Sequence, residues 1–235
     1  MTTIIAATRR FTLVGALLLS ATACAHRDLR IVDRPVPFSE ERIELTRGYI
    51  RQHYGREVMT IEIVPRIIVL HWTAGRTFEG DYRTFVPATL QGSRADLAAS
   101  SDLNVGIQFL VDRDGTVHRL MPETWMARHV IGLNYNAIGV ENVGGSVHVP
   151  TLTEAQRKAN IRLVRHLAKK YPTLEYLIGH MEYREFEGHR LWLERDSTYR
   201  TLKNDPGADF MSAVRAAVAD LHLKGPAEIA AEKQP

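Results

Sequence analysis

Short apolar runs, each about as long as one β-strand, constrain the fold of this 235-residue chain most. Asp114-Gly115, a strong signal for a two-residue hairpin, joins two of them, and the other runs are separated by longer stretches that suit helices. The runs span residues 66–71, 106–112, 116–120, 137–142 and 175–179. Strands that alternate with helices predict an α/β fold, here a single domain with a central mixed β-sheet flanked by helices.

Two helices are predicted from local signals. Thr153-Glu-Ala-Gln156 is a capping box, in which the threonine hydroxyl and the glutamine amide satisfy backbone groups at a helix start. Apolar side chains follow at helical spacing, at positions 161, 164, 167 and 168. A last helix is predicted from Phe210, Val214, Ala217 and Leu221, and residues 81–100 are predicted to be helical in part.

The N-terminus is typical of an export signal. Arg9 and Arg10 precede an apolar run over residues 11–19, which is shorter than the roughly 20 residues that a spanning helix needs. Small residues then lead to Cys24 in a stretch that resembles a bacterial lipoprotein processing site, where the cysteine is acylated and becomes the new N-terminus. Because Asp is absent from position 25, we expect a lipid anchor in the outer membrane, on the periplasmic side of the cell envelope.

Composition excludes some classes of site. Cys24 is the only cysteine, which rules out a disulfide within the chain and a cysteine-based zinc cluster. Removal of residues 1–23 takes away two arginines and lowers the formal net charge from +3 to +1, so nothing favours nucleic-acid binding. We predict a signal peptide at 1–23, a lipid-anchor tether and N-terminal extension at 24–65, a folded domain at 66–222 and a polar tail at 223–235.

Two histidines, His71 and His180, stand where predicted strands end, and strand ends direct side chains into a cleft at a sheet edge. Asp205 in a turn completes a His-His-Asp set, and a catalytic zinc needs three such ligands and one open position. A hydrolase also needs a base that is not a ligand, for which Glu141 is the candidate, and a cation near the reacting oxygen, for which Lys203 is the candidate. Spacing alone does not distinguish this set from ordinary surface residues.

Several segments together resemble one family in the order that this family has them. The chain resembles the N-acetylmuramoyl-L-alanine amidases, which are related to the peptidoglycan recognition proteins. The resemblance runs over roughly residues 66–215, and no single piece carries it. The matching segments are residues 68–74, 106–117, 120–123, 127–129, 136–141, 178–180 and 203–207.

The resemblance implies a function and a role for each matching residue. His71, His180 and Asp205 would bind one zinc ion, and the 66–222 segment would be a zinc amidase domain. Glu141 would activate water and pass its proton to the leaving amine, and Lys203 would stabilise the tetrahedral intermediate. His129 would contact the substrate or its oxyanion. The substrate would be the amide bond between N-acetylmuramic acid and L-alanine in peptidoglycan or muropeptides.

Three alternatives remain open at this point. Relatives on this fold bind peptidoglycan without cutting it when a zinc ligand is missing, so a recognition protein is the main one. His180-Met-Glu182, with His71 or His222, has the spacing of an iron-binding facial triad. A zinc peptidase acting on the stem peptide is the third. Residues 75–104 are longer than in the smallest family members, and residues 181–202 are long where many members have a short loop, which leaves the shape of the substrate groove open.

Overall fold

Six strands form one mixed sheet in the computed structural model, which describes residues 29–92, 100–146 and 151–233. Their order across the sheet is β1-β4-β3-β5-β2-β6. The β3–β4 pair is antiparallel, and the other neighbouring pairs are parallel. The strands are β1 (Ile31–Asp33), β2 (Ile67–Trp72), β3 (Phe109–Val111), β4 (Val117–Arg119), β5 (Ala137–Asn142) and β6 (Tyr176–Gly179). The predicted mixed sheet is confirmed.

The helices of the described residues are α1 (Glu40–Tyr54), α2 (Phe78–Phe85), α3 (Glu154–Lys170), α4 (Ala208–Ala217) and α5 (Pro226–Ala231). The first three begin at residues whose side chains accept a hydrogen bond from a backbone amide of the first turn. Thr153 and Gln156 form the predicted capping box of α3, and the Ser39 hydroxyl accepts from Arg42 N at the start of α1. The predicted last helix, α4, ends at Ala217 and is followed by a 3-10 turn over Ala219–Leu221.

Alternation along β2 divides the core between the two faces of the sheet. Ile68 and Leu70 pack with apolar side chains of α3 and α4, while Ile67 and Val69 pack with the 3-10 helix His180–Phe186 and with α5. Because successive residues of a strand point to opposite faces, a strand buried on both sides is apolar throughout. This explains the continuous β-branched run seen in the sequence.

Both segments that flank the predicted 66–222 domain contribute to the same fold. β1 pairs with β4 at the edge of the sheet, and α1 buries Tyr49 and Ile50. At the other end, Ile229 of α5 is fully buried against the sheet. The folded unit is therefore wider than the range predicted from the sequence, because three-residue strands and short helices are stabilised by non-local packing and leave little local signal.

The predicted signal peptide and the predicted lipidation site Cys24 lie outside the described residues. So do residues 93–99, which belong to a stretch predicted to be partly helical. Of the helices in the described part of the chain, none has the length and apolar character needed to cross a membrane.

Candidate metal centre

The carboxyl ends of the parallel strands β2, β5 and β6 form one edge of the sheet, where four polar side chains meet, three from these strand ends and one from a loop. His71 of β2 lies in register beside Glu141 of β5. On the other side of β2, Leu70 pairs with Gly179 of β6, so that His180 follows directly beyond the last paired residue. Asp205 reaches the same edge from the loop before α4, where its backbone oxygen accepts from Met181 N at 2.9 Å.

Two imidazoles converge on one carboxylate oxygen. Asp205 Oδ2 lies 3.3 Å from His71 Nδ1 and 3.0 Å from His180 Nδ1. All three side chains are buried, and one ligand atom from each lies within 4.8 Å of the others. Within residues 29–92, 100–146 and 151–233, this is the one set of three such side chains close enough to share an ion.

The geometry and the chemistry of these donors fit zinc. Nitrogen and oxygen ligands at 2.0–2.1 Å from a tetrahedral zinc ion lie roughly 3.3 Å apart. The observed separations between Asp205 and the two imidazoles, 3.0 and 3.3 Å, are close to that value. Two imidazoles and one carboxylate also leave a fourth position for water or substrate, as in catalytic zinc sites.

The ionisation of the set also suits a metal. Burial and the neighbouring His71 lower the pKa of His180 to about 4. Burial acts to raise the pKa of the Asp205 carboxyl, but hydrogen bonds from His180 and His71 outweigh it and hold that pKa well below its usual range. At neutral pH the His180 imidazole is therefore neutral and the Asp205 carboxyl is ionised, which are the forms that bind metals.

His129 lies against the other nitrogen of His71. Its Nδ1 is 3.0 Å from His71 Nε2, and the two rings meet edge to face. Burial, together with the neighbouring His71 and His180, lowers the pKa of His129 well below its usual value, so its imidazole is neutral at neutral pH. A Cβ on Gly139 of β5 would lie 2.8 Å from this ring, so glycine at that position permits the close approach.

A pocket of about 350 Å³ opens beside the three ligand candidates. His129, His180 and Asp205 line it, together with Glu141 and Lys203. Glu141 is partly exposed to this space, and the charge of Lys203 contributes to the lowered pKa of His180. Of the predicted site residues in the described part of the chain, His71 alone does not line this cavity, and its Nδ1 lies 3.3 Å from Asp205, which does.

Comparison with known families gives a match over most of the folded unit. The family model described as N-acetylmuramoyl-L-alanine amidase covers residues 62–208. The chain belongs to this amidase family. The resemblance drawn from the motifs is confirmed, and membership indicates either cleavage or binding of peptidoglycan.

Solved structures of amidases and of peptidoglycan recognition proteins align with most of the chain. The N-acetylmuramoyl-L-alanine amidase LysC from Clostridium intestinale is 19% identical, with 81% of this chain and 97% of that chain covered and a TM-score of 0.51. The Ph2119 endolysin from a Thermus scotoductus bacteriophage is also 19% identical, with coverages of 80% and 98% and a TM-score of 0.47.

Human PGRP-IBETAC, solved in complex with glycosamyl muramyl pentapeptide, is 22% identical, with coverages of 63% and 92% and a TM-score of 0.41. The likeness to LysC shows a shared fold and confirms the predicted single α/β domain. A comparison with curated protein sequences gives no match.

The residues of the alternative iron site are not brought together. Glu182 accepts a hydrogen bond from Gly179 N at 2.8 Å and forms an ion pair with Arg215 of α4. His222 follows the 3-10 turn after α4 and is absent from the pocket lining. In this amidase family member, His180 pairs with Asp205 instead.

Some residues that form the pocket have no signal in the sequence. Tyr49 of α1 precedes the segment matched by the family, yet it lines the pocket together with Tyr199 from the long 181–202 segment. Arg128 joins these walls: it donates to Tyr199 Oη at 3.2 Å and to Ser100 Oγ at 2.7 Å, and it stacks over the Tyr49 ring. Contacts this far apart along the chain become visible only in three dimensions.

A second unpredicted group supports the turn after β2. The Thr73 hydroxyl donates to Asp81 Oδ2 at 2.5 Å and accepts from Gly75 N and Gly144 N. Burial raises the pKa of the Asp81 carboxyl. A Cβ on Gly75 would lie 1.6 Å from Asp81 Oδ1, which explains the glycine that follows the His71 motif.

Proposed function

We propose that this protein is a zinc-dependent amidase that hydrolyses the bond between N-acetylmuramic acid and L-alanine in peptidoglycan or its fragments. The observation that carries the proposal is the convergence of His71, His180 and Asp205 on one point, with Glu141 in register beside His71. Membership of the amidase family supplies the substrate class. A pure recognition protein has no need of the complete ligand set together with a carboxylate at its side.

His71, His180 and Asp205 would hold the zinc. When bound there, the ion polarises the substrate carbonyl and lowers the pKa of water toward about 7. Glu141 takes a proton from the attacking water and returns it to the amine of L-alanine as the amide bond breaks. Proton transfer of this kind needs a carboxylate that faces the pocket, and Glu141 lines it.

Two further side chains support this chemistry. The Lys203 ammonium stabilises the negative charge that develops on the carbonyl oxygen of the substrate, since it borders the same pocket and makes no ion pair in the described part of the chain. With zinc on Nδ1 of His71, the remaining Nε2–H would donate to His129 Nδ1, which lies 3.0 Å away and so keeps Nδ1 of His71 directed toward Asp205. His129 also lines the pocket, where it contacts the substrate.

Digestion of purified peptidoglycan and of soluble muropeptides, with and without a chelator, tests the function. Mass spectrometry is expected to find a free muramic acid carboxyl and stem peptides that begin with L-alanine, both lost in chelator and restored by zinc. Cleavage within the stem peptide would replace the proposal by a zinc peptidase, and binding without cleavage would replace it by a recognition protein.

The role of Glu141 is tested by Glu141→Ala. Turnover is expected to fall by about 10²–10⁴-fold, the usual contribution of a general base, while zinc binding and thermal stability remain. Activity close to that of the wild type in a variant with bound zinc would remove Glu141 from the mechanism.

We also propose that Cys24 is acylated and anchors the enzyme on the periplasmic side of the outer membrane. The support is the sequence pattern before Cys24 and a substrate found in the bacterial cell wall. Cys24→Ser is expected to give an active enzyme that no longer fractionates with membranes. Membrane association of this variant would require another anchor.

A further inference from the structure

Three buried amide side chains connect helix α3 to the strand ends that carry the metal centre. Asn142 is the last residue of β5 and follows Glu141 directly, while Gln156 and Asn160 lie one turn apart near the start of α3. Each is 0% exposed. A buried polar side chain is costly unless it is hydrogen-bonded, so the partners of these amides need an explanation.

The backbone of His71 is the end point of this network. Asn142 Nδ2 donates to His71 O at 3.0 Å, and Asn142 Oδ1 accepts from Asn160 Nδ2 at 2.7 Å. Asn160 Nδ2 also donates to Gln156 O at 2.8 Å. Asn142 must present an N–H to His71 O and its oxygen to Asn160 Nδ2, so only one orientation of its amide satisfies both partners.

Gln156 holds the two neighbouring strand ends. Its Nε2 donates to Val111 O at 3.2 Å and to Val143 O at 2.9 Å, at the ends of β3 and β5. Its Oε1 accepts from Thr153 N as part of the capping box. One glutamine therefore begins the helix and also ties that helix to the edge of the sheet where the ligands emerge.

Backbone groups at this edge receive donors from these amides. Strands β2, β3 and β5 end here, and Val111 O already accepts from Val143 N at 3.0 Å. A carbonyl oxygen has two lone pairs, so Gln156 supplies a second donor to Val111 O and a donor to Val143 O. In the same way Asn142 Nδ2 donates to His71 O, and these bonds fix the backbone of His71 and of the residue next to Glu141.

We propose that Asn142 and Asn160 are positioning residues for the metal centre. They hold the His71 backbone so that its Nδ1 points at Asp205, and they keep Glu141 beside it in register. This inference rests on the proposed function and deepens it, because it assigns to α3 a part in metal binding although no α3 side chain is among the three ligands.

Zinc affinity, measured by competition with a fluorescent chelator, separates positioning from mere stability. Asn160→Leu removes both donated bonds, and Asn160→Asp keeps the shape of the side chain but removes its donor. The control is Leu167→Ala, which creates a cavity two turns further along the same helix, where the side chain is also 0% exposed. The free energy of unfolding, kcat and KM are measured for all variants.

Both Asn160 variants are expected to bind zinc roughly tenfold more weakly, which is the lower end of the range for groups that orient a metal ligand. We expect kcat to fall by a similar factor and KM to change little. Leu167→Ala is expected to lose stability with unchanged zinc affinity. If Asn160→Leu fails to fold, Asn160→Asp carries the test alone.

Zinc affinity that is unchanged in the Asn160 variants, or that falls equally in Leu167→Ala, would overturn the positioning role. If the wild-type protein binds zinc and cleaves the substrate, and the Asn160 variants do so equally well, this inference alone is overturned. A wild-type protein that binds no zinc would overturn the proposed function and this inference with it.

Discussion

Two buried imidazole–carboxylate groups differ in how their atoms are shared, and one of them stacks on Tyr49 of the pocket wall through His53. His53 Nδ1 lies 3.0 Å from each oxygen of Glu194, and His53 Nε2 lies 3.0 Å from Ser100 O. Each nitrogen of His53 therefore has its own acceptor. In the metal centre, by contrast, His71 and His180 both direct Nδ1 at the same Asp205 oxygen.

The difference separates a structural pair from a candidate metal site. The His53–Glu194 pair joins α1 to the long 181–202 segment, and both nitrogens of His53 already have partners. The ligand atoms of His71, His180 and Asp205 instead lie within 4.8 Å of one another, close enough to share one cation. Convergence of ligand atoms, rather than burial of histidines and acids alone, marks the candidate metal site.

Loss of the shared carboxylate is expected to have the largest effect. Asp205→Ala leaves two of the three ligands, and we expect zinc affinity to fall by at least about 1,000-fold and turnover to be lost. Groups that only orient a ligand typically change metal affinity by about 10–100-fold. Isothermal titration with zinc measures this change. Asp209→Ala, an exposed carboxylate four residues on, is the control and should bind zinc normally.

A variant of Asp205 that still holds one zinc ion per chain would show that the convergence seen here does not define the ligand set. The shared Asp205 oxygen would then not distinguish this group from the His53–Glu194 pair.

Loss of the other carboxylate is expected to act on stability. Glu194→Ala leaves a buried nitrogen of His53 without its hydrogen-bond partner, which costs about 1–3 kcal/mol of unfolding free energy, while one zinc ion per chain still binds. Chemical denaturation and metal analysis measure the two effects. Glu185→Ala, an exposed acid in the same segment, is the control. If zinc content fell with Glu194→Ala in folded protein, the His53–Glu194 pair and the metal centre would not be separate.

The smallest expected effect is on the pH dependence of stability in metal-free protein. The folded-state pKa of His180 is lowered to about 4 from 6.5, so the unfolded chain binds the proton more tightly between these pH values. Stability is therefore lost as the pH falls from about 6.5 to 4. We expect His180→Ala to flatten this slope by up to about 1.4 kcal/mol per pH unit, the value for one proton.

Chelator-treated wild type and His180→Ala are compared by denaturation at several pH values. Equal slopes for the two proteins between pH 4 and 6.5 would contradict a neutral buried imidazole at position 180.

Elements with strong local signals were predicted well from the sequence. β5 spans Ala137–Asn142 as predicted, and the capping box at Thr153 begins α3. β1 was not predicted, because a three-residue strand is stabilised by its pairing with β4, more than 80 residues away in the chain. The mixed sheet followed from the alternation of strand and helix signals, whereas its strand order depends on non-local pairing.

The strand-forming runs, the helix starts and, through several motifs in family order, the amidase family can be predicted from the order of the residues. These are local patterns of side chains, and they can be read one segment at a time. Packing of distant segments is needed to bring Nδ1 of His71 and of His180 to one oxygen of Asp205, to place Tyr49 in the pocket wall and to link Asn160 to His71 through Asn142. Such contacts join residues 18 to more than 100 positions apart, and their geometry depends on the packing of the whole sheet.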